Sequence, residues 1–174
     1  MFFEKIQNVD PEKVAIVADG KTFTFGDILN IASKRVTFFE GRRDAFLLCH
    51  SSELENLLNF FAIMAAGAKG IFGGKNLSED QKSNFSVIHN CTIVDFVPNE
   101  EKRITEQHKP GQSEYFLGVL SSGSTGQSKL IWKDYLSWFS AFPHQSAVFG
   151  VSDQDRVFVL DALAYSANLN TVLH

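Results

Sequence analysis

Cysteine is nearly absent from this sequence. Only Cys49 and Cys91 occur among 174 residues, each inside an apolar run, and two such residues give neither a disulfide framework nor a metal-ligand spacing. Buried, reduced thiols in a cytoplasmic protein are the reading that follows. Long hydrophobic runs are missing as well. The most apolar stretch, residues 57–68, is only about half of the roughly 20 residues that span a bilayer, so it reads as a core helix and no membrane span is expected. The opening Met1-Phe2-Phe3-Glu4-Lys5 has no basic segment followed by an apolar one, which argues against a secretory signal. Excess positive charge is also lacking. A formal net charge of -4 offers no basic footprint for nucleic acid or anionic lipid. The histidines, at 50, 89, 108, 144 and 174, show no helix-face metal spacing and stand beside no nucleophile motif, so none is given a role and no metal site is expected.

What is present fits one ordinary domain over residues 1–174. Apolar residues make up 44% and charged residues 21%, near the averages for soluble domains and far from disorder. Phe occurs 17 times, which points to a core filled with large flat side chains. No internal repeat and no second-domain boundary is visible.

Along the chain, Asp19-Gly20 lies between two β-prone runs in residues 14–25, a strong signal for a tight hairpin. Thr24 with Asp27 reads as a capping arrangement that opens a helix. That helix carries Ile28, Leu29, Ile31, Ala32, Val36 and Phe39 on one broad face. Residues 45–49 read as a buried strand. Ser52 with Glu55 reads as a second capping box, starting a helix over about 53–66 that Gly67 ends. A strand is expected over 69–72, a shorter helix after Ser78, and short strands at Val87-Ile88 and over 92–96. Residues 98–114 are polar and without apolar periodicity, as in a long surface connection. Residues 115–120 are strand-like. Asp134 or Ser137 could cap a helix running toward Phe149, with Pro143 as a kink or break. Residues 157–160 read as one more buried strand. This alternation predicts an α/β fold with a mostly parallel sheet flanked by helices.

The informative segment follows the strand over 115–120. Residues 120–130 read Leu-Ser-Ser-Gly-Ser-Thr-Gly-Gln-Ser-Lys-Leu. Glycines let the backbone turn and bring its N–H groups to an anion. Ser121, Ser122, Ser124 and Thr125 add short donors, and Lys129 adds a mobile positive charge. Hydrogen bonds to charged groups contribute roughly 1.5–3 kcal/mol each, so several converging donors can hold a polyphosphate. The P-loop of kinases and GTPases is excluded. Gly118 and Gly123 have its spacing, but Ser124 stands where its lysine is required. Gly/Ser tracts also serve as linkers, yet a linker is not normally set between an apolar strand and the strand-like Lys-Leu-Ile-Trp inside one domain.

Residues 121–129 resemble the signature loop of the acyl-adenylate-forming superfamily, which includes acyl-CoA synthetases, luciferases and peptide-synthetase adenylation domains. The family's loop runs Ser/Thr-Ser/Thr-Gly-Ser/Thr-Thr-Gly-x-Pro-Lys-Gly. This sequence keeps Ser121, Ser122, Gly123, Ser124, Thr125, Gly126 and Lys129, and departs at Ser128 and Leu130. Residues 22–29 are similar to the family's early helix entry, and 62–68 to its Ala-x-x-Ala-x-Gly-Ala helix end, with Phe72-Gly73-Gly74 in place of Val-Pro-Leu. Residues 155–170 resemble the stretch that forms an acyl-pocket segment. There Ala162-Leu163-Ala164-Tyr165 replaces Pro-Leu-Phe-His, so Tyr165 stands where a His or aromatic gates the carboxylate, or is an ordinary half-buried aromatic.

The resemblance implies the N-terminal subdomain of an adenylate-forming enzyme and an ATP-dependent acid–thiol ligase of the acyl-CoA synthetase kind. ATP and Mg2+ are the implied cofactors, with CoA as co-substrate and a fatty or other carboxylic acid as the group activated. The loop residues named above would grip the β- and γ-phosphates. The resemblance covers essentially the whole chain but only about the first third of such an enzyme. The adenine-binding segment, the ribose-binding Asp and the late catalytic Lys lie further on in the family, so no catalytic residue is assigned here and the 174 residues alone are expected to be inactive. Two other readings stay open. One is a non-catalytic phosphate- or nucleotide-binding module. The other is a structural fragment whose apolar edge over 157–173 packs on a partner. Glu53/Glu55 and Glu100/Glu101 read as solvated or helix-start charges. Trp132 and Trp138 read as core, with substrate lining as the alternative.

Overall fold

The computed structural model describes residues 2–41, 45–98, 114–121, 129–160 and 162–174. The expected connection over 98–114 lies almost wholly outside them. A short helix, α1 (Phe2–Gln7), comes first. The strands β1 (Val14–Ala18) and β2 (Lys21–Thr24) then pair antiparallel. Asp19 and Gly20 at the turn have φ of 51° and 72°, the left-handed pair that a tight primed turn requires.

Thr24 caps α2 (Phe25–Phe39), and the capping box with Asp27 is complete in both directions. β3 (Ala45–Leu48) is buried at every residue. Ser52 caps α3 (Glu53–Ala65) by accepting from the Glu55 N–H. The expected reciprocal half of that capping box does not form, because the Glu55 carboxylate lies 2.8 Å from Arg35 instead. Gly67, with φ of 70°, turns the chain into β4 (Lys69–Phe72).

Ser78 and Gln81 close a complete capping box on α4 (Glu79–His89), and Asn90 ends it in the left-handed conformation. The expected strand at Val87-Ile88 is therefore the last turn of a helix, with those side chains 83% and 73% exposed. β5 (Cys91–Val94), β6 (Tyr115–Ser121) and β7 (Lys129–Asp134) follow. The helix expected toward Phe149 is two, α5 (Tyr135–Phe139) capped by Asp134 and α6 (Phe142–Phe149) with Pro143 in its first turn, where a missing N–H costs nothing. α7 (Ser166–Leu173) closes the chain, and neither it nor α1 is anticipated by the sequence reading. Residues 157–160 form no strand. They find no ladder partner among the described residues, which corrects the buried-strand expectation.

The main sheet has the order β5-β3-β4-β6-β7. Its first four strands run parallel and β7 returns antiparallel against β6. This is the α/β, mostly parallel arrangement expected from strand–helix alternation. The large core contains Phe39, Phe46, Phe60 and Phe116, each under 2% exposed. Burying such a side chain contributes about 1.5–3 kcal/mol. Edge-to-face packing of Phe39 on Phe46 at 4.9 Å and stacking of Phe116 on Tyr135 at 4.3 Å fix their geometry. Gly70 is required where Phe60 crosses β4, since a Cβ there would sit 2.5 Å from that ring. Cys49 and Cys91 are free and buried. Trp138 is buried in the large core, whereas Trp132 packs partly buried on a smaller one.

Candidate functional site

Open parallel sheets bind ligands beyond the carboxyl ends of their strands. Here those ends lead from β3 into residues 49–52, from β4 into 73–75, from β5 into Asp95 and Phe96, and from β6 into the Gly/Ser-rich loop. The loop's two ends are the last pair of the β6–β7 ladder, Ser121 against Lys129. The Lys129 backbone N–H donates to Ser121 Oγ at 3.4 Å. Ser122, Gly123, Ser124, Thr125 and Gly126 lie outside the described residues. Ser121 and Lys129 are therefore the residues of this segment whose positions are described, at its two ends.

The hairpin under the loop is held by close packing. A Cβ on Gly118 would lie 2.8 Å from Leu130, 2.9 Å from Ile71 and 3.1 Å from Trp132. β4, β6 and β7 thus approach closely at one level. The Lys69 ammonium sits 5.1 Å from the centre of the Trp132 ring, a cation–π contact. It gives Trp132 a packing role on this hairpin.

A second group of residues surrounds the exit of β3. Asn56, fully buried, holds His50 from both sides: its Oδ1 accepts from the His50 N–H at 2.8 Å, and its Nδ2 donates to the His50 carbonyl at 3.0 Å. The Ser52 N–H donates to His50 Nδ1 at 3.0 Å. Nδ1 is therefore unprotonated in this arrangement. These bonds fix Ser51 and Ser52 at the rim of an open cleft of about 420 Å³, lined by Asp19, Ser51, Ser52, Glu53 and Lys75 among others. Both carboxylate oxygens of Glu53 are buried without a hydrogen-bond partner. Glu53 and Glu55 both lie in the first turn of α3, as helix-start charges, and Glu55 is in addition paired with Arg35 from a distant part of the chain.

The Cys49 thiol is pushed up to about 12, chiefly by burial, so it stays protonated and unreactive near neutral pH. Lys82, between Glu79 at 2.7 Å and Asp95 at 3.5 Å, is raised mainly by its hydrogen bond to Glu79. It ties α4 to the exit of β5. Among the described residues, no group of three His, Cys, Asp or Glu side chains could hold a metal ion, and no helix is long and apolar enough to cross a membrane.

Tyr165 is 61% exposed and stands as the N-cap of α7. Its backbone is fixed by bonds to Ala162 at 3.2 Å and from Leu169 at 3.1 Å, which leaves the ring projecting from a held turn. That turn touches the exit of β4, because a Cβ on Gly74 would lie 3.2 Å from the Ala164 Cβ. The glycines of Phe72-Gly73-Gly74 answer to local space. A Cβ on Gly73 would meet Leu47 at 2.8 Å and both Cys49 and Leu77 at 3.0 Å, and Gly74 has φ of 78°.

The fold is that of the N-terminal subdomain of adenylate-forming enzymes. The chain superposes over 99% of its length on O-succinylbenzoate coenzyme A synthetase (MenE) from Bacillus subtilis in complex with AMP, at TM-score 0.76 and 17% identity. It is similarly close to the Klebsiella oxytoca NpsA N-terminal subdomain in complex with 3-hydroxyanthranilyl-AMSN, with TM-score 0.78, 14% identity and 99% of this chain covered. The Vibrio cholerae adenylation domain AlmE in complex with glycyl-adenosine-5'-phosphate gives TM-score 0.73 at 15% identity, again over 99% of this chain. The chain spans 52%, 49% and 41% of those three structures, about half their length. Neither a protein-family model nor a curated protein sequence matches it.

Proposed function

We propose that these residues form the phosphate-binding front part of an ATP-dependent ligase that activates a carboxylic acid as its acyl-AMP and passes the acyl group to CoA. In this reading a carboxylate oxygen attacks the α-phosphorus of ATP, the α–β phosphoanhydride bond breaks, and pyrophosphate leaves. The CoA thiolate then attacks the acyl carbonyl carbon and expels AMP. Ser121, Ser122, Gly123, Ser124, Thr125, Gly126 and Lys129 hold the departing β- and γ-phosphates, an electrostatic and positioning role. Mg2+, held mainly by the nucleotide's own phosphates, would supply neutralisation of their charge.

One observation carries this reading. A Ser/Thr/Gly/Lys loop springs from the last pair of the β6–β7 ladder, at the carboxyl end of a parallel strand, in a fold shared with structures whose bound molecules are AMP and acyl-adenylate compounds. Tyr165, on a turn held against the exit of β4, lines the acid site in the same reading. The acid is a fatty or other acyl acid, and the protein works in the cytoplasm. The 174 residues alone grip phosphate without turnover.

The test is acid-dependent exchange of labelled pyrophosphate into ATP by the protein purified from its source. Thr125→Ala and Lys129→Ala should each lower the rate about 100-fold, as removal of one preorganised donor does. Unchanged rates in both variants would remove the role given to the loop.

A further inference from the structure

The β6–β7 hairpin carries the Gly/Ser-rich segment between its strands, and its ladder holds an irregularity. Tyr115 pairs with Asp134 and Leu117 with Lys133, so Phe116 is an extra residue on β6. A bulge of this kind takes up one residue of slack. The far end of the ladder therefore does not fix the end at which Ser121 stands opposite Lys129. A slip of one residue is opposed by burial, since it would carry Leu130 and Trp132, which pack on the smaller core, to the other face. A slip of two residues keeps every side chain on its own face. Only a fit of shape opposes that.

Gly118 supplies the fit. It has no side chain, and a Cβ there would lie 2.8 Å from Leu130 Cδ1, 2.9 Å from Ile71 and 3.1 Å from Trp132. The Leu130 tip therefore fills the volume that a side chain at 118 would take, while Ile71 and Trp132 close its sides. The next position of β6 on this face is Leu120, opposite Leu130 itself, and it offers no such hollow. The Lys69 ammonium, 5.1 Å from the centre of the Trp132 ring, ties one wall of the hollow to β4. Leu130, like Ser128, is a position at which this segment departs from the loop it resembles. The geometry points to Leu130 as a positioning residue: seated over Gly118, it locks the β6–β7 register and so fixes where Lys129 meets the nucleotide's phosphates. The inference rests on the ligase reading for the role of Lys129; the lock itself does not.

A double-mutant cycle tests it in the protein purified from its source, by acid-dependent exchange of labelled pyrophosphate into ATP. Leu130→Ala should lower kcat/KM for ATP about tenfold, within the loss that a small misplacement causes, and leave the KM for the acid unchanged. In the Lys129→Ala background the same substitution should cost less than about twofold, because Leu130 acts through Lys129. Leu130→Met, which conserves volume, should stay within about twofold of wild type. Ile93→Ala removes volume from the same core at the other edge of the sheet; it should lower the melting temperature and leave kcat/KM for ATP unchanged. Equal losses from Leu130→Ala in both backgrounds, or an equal loss in Ile93→Ala, would assign Leu130 to stability alone and overturn the inference. Amide hydrogen exchange separates the lock from the ligase reading: Leu130→Ala should speed exchange over 129–133 about tenfold and leave 45–48 unchanged. Without pyrophosphate exchange in wild type the ligase reading falls, and the lock stands or falls on the hydrogen exchange. With pyrophosphate exchange but unaltered protection over 129–133, the lock is wrong and the ligase reading stands.

Discussion

Ser121 and Lys129 face each other as the final pair of the β6–β7 ladder, and the Lys129 N–H reaches Ser121 Oγ at 3.4 Å. A bond of that length is weak, so the hydroxyl can turn to a phosphate at little cost. Ser121→Ala should therefore change unfolding free energy by less than about 1 kcal/mol. The same variant should raise the KM for ATP about tenfold or more, the loss expected for one hydrogen bond to a charged group. Urea denaturation and steady-state kinetics on one preparation check both halves.

Arg35 joins α2 to α3. Its guanidinium lies 2.8 Å from Glu55 and donates to Asn59 Oδ1 at 2.8 Å, while Asn59 donates to the Phe96 carbonyl at 3.1 Å. Removing one member of such a pair leaves the other charge uncompensated. Arg35→Met should destabilise by about 3–5 kcal/mol, and adding Glu55→Leu should restore much of that loss. Denaturant titration of the single and double variants measures it.

Gly70 is fixed by contact. A methyl group there would press into the Phe60 ring, which is itself fully buried. Gly70→Ala should cost about 1–3 kcal/mol through overpacking. Replacing Phe60 with Leu in the same chain should recover part of it, as thermal melting would register.

The Cys49 thiol has its folded pKa raised to about 12 from an ordinary 9.0, chiefly by burial. The neutral thiol is favoured in the fold, so its contribution is present in full below about pH 9 and lost as pH rises toward 12. In that window the unfolded chain binds fewer protons than the folded one, and stability falls by up to about 1.4 kcal/mol per pH unit from this group. Cys49→Ala should flatten that part of the profile relative to wild type, as urea midpoints between pH 8 and 11 (an interval chosen about the ordinary thiol value) would measure.

Much of this architecture is legible in local signals. Asp19-Gly20 and the Thr24/Asp27 box act within four residues, and the structure has both. The strand β4 and the helix α3 follow from apolar runs bounded by Gly67 and Ser52. Val87-Ile88 misleads because two apolar residues carry no period; the Ser78/Gln81 box and Asn90 at the two ends decide for helix. α7 is unpromising in composition, but Leu169 and Leu173, four apart, are 1% and 3% exposed and anchor it. The resemblance of residues 121–129 can be seen in the sequence because those residues are contiguous; of them the structure describes Ser121 and Lys129, paired at the end of the β6–β7 ladder. The Arg35–Glu55 pair, the Asn56 clamp on His50 and the Gly74–Ala164 contact join distant segments, and no local pattern announces them.

Phosphorus NMR of the products formed from ATP, with the protein purified from its source and supplied with a panel of carboxylic acids, decides whether it is an acid-activating ligase. AMP and pyrophosphate should form only when an acid is present, and neither should form in the combined Thr125→Ala/Lys129→Ala variant. Formation of ADP and inorganic phosphate, or AMP release that does not depend on an acid, would contradict the ligase reading.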